Sequence, residues 1–167
     1  KEISRIYLGT ESALDAAKPT ATYAMQMVET VLEKDFGARC FKNCDVVDMT
    51  FACVGAVDAL QNCLDFCRAN PGKKAVVIAS DYAKYELECS GEYTQGGGAV
   101  ALLLSDNPQL LEIENVYGVA TESVFDFFKP RRSALKADLK SAAASMPDKI
   151  EIFTDEPVFD GHYSNQC

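Results

Sequence analysis

Cys53 stands in the run DVVDMTFACVGAVDAL, residues 45–60, where an apolar strand-like segment runs into a turn at Gly55 and an amphipathic stretch begins. The unpaired N–H groups and macrodipole of a helix start stabilise a thiolate, so a nucleophile benefits from that position. The residues themselves leave two roles open, an attacking thiol or a buried structural one. Glu11, in GTES, follows another short apolar run and falls in a loop where a carboxylate can face a cleft, cap a helix or meet solvent. Asp81 follows AVVIAS at a further strand end, and the carboxyl ends of strands are where α/β sheets gather ligands. The triplet Gly96–Gly98 in YTQGGGAVALLL admits a backbone approach to a ligand, or a simple turn or bulge before a strand. The single histidine, His162, lies in FDGHYSNQC, and nothing in the sequence brings it near Cys53; a surface or packing role is the simpler reading. No G-x-S-x-G turn supports a serine-hydrolase triad.

The elements that must hold these groups read as a layered α/β domain. RIYLGTES is a short strand entering a loop. After Pro19, ATYAMQMVETVLEKDFG sets Met25, Val28 and Leu32 at helical spacing and stops at Gly37. CDVVDMTF is a strand, and GAVDALQNCLDFCRANPG a helix closed by Asn70, Pro71 and Gly72. KKAVVIASD and GGGAVALLLSD are continuous apolar runs that suit strands covered on both faces, and LLEIENVYGVATES is expected to be another, bent at Gly118. RRSALKADLKSAAASMPDK, residues 131–149, reads as a basic surface helix. Buried rather than alternating strands interleaved with helices give the α/β class.

Composition narrows the function. The net charge of −9 offers no basic stripe for nucleic acid, although an acidic chain can still bind an anionic cofactor through a few local cations. No apolar run reaches the length of a membrane span, and KEISRIYLGTES is not a signal peptide. Both ends look cut, so a piece of a longer protein is expected. Seven cysteines without dense spacing fit a reducing cytoplasm better than a secreted disulfide scaffold. Cys40 with Cys44 and Cys63 with Cys67 form two C-x3-C pairs that could hold zinc. Core packing is the better reading, because Cys63 and Cys67 share a helical face with Leu60 and Leu64.

GTESALDAAKP, DMTFACVGAVDALQN, AVVIASDYAKYE, YTQGGGAVALLL, VFDFFKPR and EPVFDGHYSNQC occur in the order and at the approximate spacing of the hydroxymethylglutaryl-CoA synthase family, which the chain resembles. The resemblance implies a thiolase-like αβαβα architecture, of which residues 1–167 would be an incomplete N-terminal portion with an insertion at about 131–153. It makes Cys53 the nucleophile acetylated by acetyl-CoA and Glu11 the general acid/base acting on the acetyl methyl group. Asp81, Thr94, Asp126 and Ser164 match positions lining the substrate site. Acetoacetyl-CoA would be the second substrate, on the mevalonate route to isoprenoids, with no metal or redox cofactor and with a homodimer as the assembly. Val54 stands where the family usually carries an aromatic residue after the nucleophile, and the family's catalytic histidine lies beyond the matched segment. Two alternatives stay open: a related thiolase-fold synthase acting on carrier-protein or other β-ketoacyl substrates, and a non-catalytic acyl-CoA-binding scaffold.

Overall fold

In the computed structural model of the chain, the strands and helices are described over residues 2–85, 87, 88 and 91–121, with strand backbones at 127–128, 131–135, 149–153 and 158–159. The residues divide into two units, Lys1–Ala83 with Gly96–Val116, and Lys84–Gln95 with Tyr117–Cys167.

The first unit runs β1 (Ile3–Gly9), α1 (Ala21–Phe36), β2 (Asp45–Met49), α2 (Gly55–Ala69), β3 (Lys74–Ala83) and β4 (Gly96–Ser105). Its sheet has the order β2-β1-β3-β4, with β1 parallel to both β2 and β3, and β4 antiparallel to β3. Because strand side chains alternate between faces, β1 and β3 divide their apolar residues between two clusters. Tyr7, Ala75 and Val77 pack with Ala59, Cys63 and Cys67 of α2, whereas Ile6 and Leu8 pack with Ala21 and Met25 of α1 and with Val76 and Ile78. One helix therefore covers each face of the sheet, which is the expected α/β layering. Cys63 and Cys67 lie in the core, as their spacing predicts, with Leu60 and Leu64 half-buried beside them, while Cys44 joins the second cluster.

Helix α1 starts two residues after Pro19 and stops at Gly37, whose φ of 80° is left-handed and whose N–H returns to the Glu33 carbonyl. Its inward side is narrower than the pattern suggests. Met25 packs on the sheet, but Val28 faces solvent. The first strand also carries a cation. The Arg5 guanidinium sits 4.1 Å from the Phe66 ring centroid and 3.8 Å from Asp45, and the Tyr7 hydroxyl donates to Asp45 at 2.7 Å.

Three expectations change. The apolar run of β4 predicts cover on both faces, yet among the described residues it ends the sheet, and Val100, Leu102 and Leu103 are exposed while Leu104 alone among its leucines is buried. Residues 110–121 form no strand: the Arg68 side chain takes the Ile113 carbonyl at 2.6 Å, the group that a ladder would use. Residues 131–135 are extended rather than helical. They form β6 (Arg131–Leu135), antiparallel to β7 (Lys149–Phe153), whose KIEIF offers a period of two. These strands belong to the second unit, together with the short pair β5 (Phe127–Phe128) and β8 (Val158–Phe159) and a 3-10 turn at Glu92–Thr94. Among the described residues no helix is long and apolar enough to cross a membrane.

Candidate active site

Strands β1 and β2 are parallel neighbours, and their connections leave for opposite faces of the sheet, β1 into α1 and β2 into α2. Loops that part in this way leave a crevice at the carboxyl ends of the strands, the usual place for a ligand. The register opposes Gly9 to Met49 and to Ala79. Glu11 follows Gly9 by two residues, Cys53 follows Met49 by four, and Asp81 lies two beyond Ala79. All three therefore fall at one end of the sheet.

Two glycines let the elements close there. A Cβ on Gly9 would lie 2.0 Å from the Ala56 nitrogen and 2.4 Å from the Gly55 carbonyl carbon, and a Cβ on Gly55 would lie 2.5 Å from the Met49 carbonyl oxygen. Only hydrogen fits between the end of β1 and the first turn of α2. Cys53 occupies the turn directly before that helix, whose N-cap is Val54.

Cys53 is exposed in this chain rather than packed in its core. Three other cysteines contrast with it. Burial pushes the Cys63 thiol up to about 12 and raises Cys67 as well, and burial with the nearby Asp45 carboxylate pushes Cys44 up to about 11. Those three stay protonated at neutral pH. No group of three or more potential metal ligands gathers among the described residues.

The Glu11 loop is tied to β3. Asp81 Oδ1 accepts from the Glu11 backbone N–H at 2.7 Å and from the Thr10 hydroxyl at 2.9 Å. Thr10 Oγ1 accepts from the Ser12 N–H at 2.9 Å, and Ser12 Oγ accepts from the Tyr82 N–H at 3.1 Å. Glu11 is half-buried, and Thr10 is 2% exposed. Asp81 does not follow the strand, as AVVIAS suggests, but lies within β3, paired with Gly98. The glycine triplet is likewise no turn: Gly96–Gly98 open β4 against Ala83, Tyr82 and Asp81. Farther along the loop, the Asp48 carboxylate accepts from the Thr20 and Ala21 N–H groups, capping α1 from β2. Asp15 accepts from Ala17, Lys18 and the Tyr23 hydroxyl, and these hydrogen bonds hold its carboxyl below the ordinary range.

Thr94 ends the 3-10 turn of the second unit, exposed, its hydroxyl donating to the Gly91 carbonyl at 2.8 Å. Asp126, Ser164 and His162 lie outside the described residues. Thr10, Ser12 and Asp48 were not singled out from the sequence. Thr10 and Ser12 flank Glu11, but their partners lie 70 or more residues away, and no local pattern reports such a pairing.

A cysteine turn and a carboxylate loop meeting at the switch point of a helix-covered sheet make this an α/β protein with a ligand crevice, and the solved structures that align with it share the thiolase-like fold. Residues 1–109 match the family described as hydroxymethylglutaryl-coenzyme A synthase N terminal. The hydroxymethylglutaryl-CoA synthase of Haloferax volcanii is 36% identical over 141 residues, covering 83% of this chain and 31% of its own. Among solved structures, MvaS in complex with 3-hydroxy-3-methylglutaryl coenzyme A aligns with a TM-score of 0.69 and 32% identity over 98% of this chain and 32% of that one. The curacin biosynthetic pathway HMG synthase in complex with acetyl donor-ACP aligns at 0.62 and 28% over 77% and 30%. The chain belongs to the hydroxymethylglutaryl-CoA synthase family, and it spans about a third of the length of these relatives.

Proposed function

We propose that this chain supplies the nucleophile and the base of a hydroxymethylglutaryl-CoA synthase. The observation that carries the reading is the convergence of Glu11, Asp81 and the exposed Cys53 at the carboxyl ends of three adjoining parallel strands. The Cys53 thiolate attacks the carbonyl carbon of acetyl-CoA; the coenzyme A thiolate leaves and takes up a proton, and the acetyl group remains as a thioester on Sγ. Glu11 then removes a proton from the acetyl methyl group. A half-buried carboxylate close to that carbon is what so weak a carbon acid requires. Backbone N–H groups of the turn before α2 suit the developing enolate oxygen. The enolate carbon attacks the ketone carbon of acetoacetyl-CoA, and the new alkoxide is protonated to the tertiary alcohol. Water finally cleaves the thioester at Cys53, releasing 3-hydroxy-3-methylglutaryl-CoA and restoring the thiol. Capture on Cys53 turns a bimolecular carbon–carbon bond formation into a positioned one. In this scheme coenzyme A thioesters are substrates, and no step calls for a metal or redox group. Family membership supports a homodimer as the working assembly, and the free cysteines among the described residues suit the cytoplasm.

A second reading keeps the chemistry and changes the carrier. The curacin pathway neighbour is seen with an acetyl donor carrier protein, and here an exposed Val54 follows the nucleophile in place of an aromatic residue. One experiment tests both. The complete protein is incubated with acetyl-CoA, quenched in acid, and mapped by peptide mass spectrometry, with Cys53→Ala as control. Acetyl on Cys53 that acetoacetyl-CoA discharges is the expected result. Acetyl that only a carrier-bound acceptor discharges moves the assignment to the second reading. No acetylation of the folded protein, either from acetyl-CoA or from an acetyl carrier protein offered in parallel, refutes both and leaves an acyl-CoA-binding scaffold.

A further inference from the structure

Residues 10–12 are held to β3 by side-chain hydrogen bonds rather than by strand pairing, and the buried hydroxyl of that set is on Thr10. Asp81 Oδ1 receives two donors, the Thr10 hydroxyl and the Glu11 backbone N–H. Thr10 Oγ1 in turn accepts the Ser12 N–H, and Ser12 Oγ accepts the Tyr82 N–H. The Glu11 backbone is thus fixed on both sides, and the direction of the Asp81 carboxylate is set by the pair of donors it shares. We propose that Thr10 is a positioning residue for the reaction: its hydroxyl orients Asp81, and Asp81 holds the backbone from which the Glu11 carboxylate reaches the acetyl methyl group. The inference rests on Glu11 being the base.

The hydroxyl does two things that no isosteric hydrocarbon can do. It donates to Asp81, and it accepts from Ser12. Valine at this position fills the same volume, so the 2%-exposed site stays packed, but Asp81 Oδ1 keeps one donor and the Ser12 N–H loses its acceptor. The carboxylate is then held by the Glu11 N–H without its second donor, and the Glu11 loop shifts with it. Toward the Cys53 side the Thr10 backbone N–H donates to the Met49 carbonyl at 3.1 Å, a main-chain bond that a side-chain replacement leaves in place, so the two half-reactions are expected to separate. Transfer of acetyl to Cys53 needs the nucleophile; proton removal and condensation need Glu11. A base displaced by part of an ångström loses rate steeply, about a hundredfold for a full 1 Å.

The test uses the complete protein with Thr10→Val, Thr10→Ser and Glu11→Ala. Two rates are read by acid quench and mass spectrometry: acetylation of Cys53 by acetyl-CoA, and discharge of the acetyl-enzyme by the acceptor that the parent uses. Thr10→Val is expected to acetylate within about twofold of the parent and to discharge at least about tenfold more slowly. Thr10→Ser, which keeps donor and acceptor, is expected to discharge within about threefold of the parent. Discharge at the parent rate in Thr10→Val overturns the proposal, as does an equal loss in both half-reactions or a failure of serine to restore the rate. If Thr10→Val is recovered unfolded, Thr10→Ala is read in the same way, and unfolding of both makes Thr10 a structural residue and overturns the role. Glu11→Ala separates the two ideas: normal discharge in that variant removes the base assignment itself, whereas a slow Glu11→Ala beside a normal Thr10→Val refutes only the part given to Thr10.

Discussion

Replacing Gly9 by alanine puts a methyl carbon where the structure has backbone. The new Cβ would lie 2.0 Å from the Ala56 nitrogen, 2.3 Å from the Ala56 Cα and 2.4 Å from the Gly55 carbonyl carbon. Non-bonded heavy atoms settle at about 3.5–4.0 Å, so the first turn of α2 must retreat from the end of β1 by more than about 1 Å. Overpacking typically costs about 1–3 kcal/mol. Here the obstructing atoms are all main chain, so no rotamer change relieves them, and the upper end, about 3 kcal/mol, is the expected loss. In the complete protein, whose relatives are about three times as long as this chain, that lowers Tm by about 3 °C. The same retreat moves the Cys53 turn away from the Glu11 loop, and a misplacement of about 1 Å costs about a hundredfold in rate. Thermal denaturation and acetyl-enzyme discharge are measured together on Gly9→Ala in the complete protein. Gly118→Ala is the control, because a Cβ there meets nothing within 4 Å. A Gly9→Ala protein with the parental Tm and discharge rate would refute the close approach of β1 and α2. So would rescue by trimming the Ala56 side chain, since the clash is with backbone.

Two further outcomes follow from the same structure. At about pH 8 a soluble alkylating reagent should modify Cys53 well before Cys63 and Cys67, which are buried, protonated and reachable only on unfolding; a time course of peptide masses checks this, and early labelling of Cys63 would contradict the core assignment. Burial first, and then the hydrogen bond to Asp45, push the Tyr7 hydroxyl from 10 up to about 12. The folded chain then holds a proton that the unfolded chain gives up between those values. This contribution to stability is complete below pH 10 and is lost as the pH rises toward about 12. Tyr7→Phe should cost about 0.5–1.5 kcal/mol near neutrality and flatten that alkaline decline in denaturant titrations; an unchanged slope would count against a raised Tyr7 hydroxyl.

The local elements of the larger unit were legible because each is written in a short window. Pro19 and Gly37 bracket α1, Gly55 and the Asn70-Pro71-Gly72 stop bracket α2, and the runs of β1 and β3 have the length and branching of buried strands. The colinear motifs around Glu11, Cys53 and Asp81 carried the family as well, since they lie within the residues that match it. In that unit, what failed were inferences from apolarity to strand pairing and burial. GGGAVALLLSD forms its strand, but an end strand is not covered merely because it is greasy; coverage depends on which helix reaches it, and α2 meets β4 at Leu104. LLEIENVYG is as apolar as a strand, yet Arg68 holds one of its carbonyls.

By itself, then, the sequence determined the order and kind of the elements of the first unit, the junction position of Cys53 and the family, all of which depend on neighbours along the chain. Only the tertiary structure decided that β1 lies between β2 and β3, that α1 and α2 part to opposite faces, and that the ends bearing Glu11, Cys53 and Asp81 come together. It alone exposed Cys53 and buried the Thr10 hydroxyl against a carboxylate 71 residues away. Periodicity reports which side of an element is apolar. Partner, register and hydrogen bonds across such separations are settled when the layers pack, because only then do distant backbone and side-chain groups compete for the same polar partners.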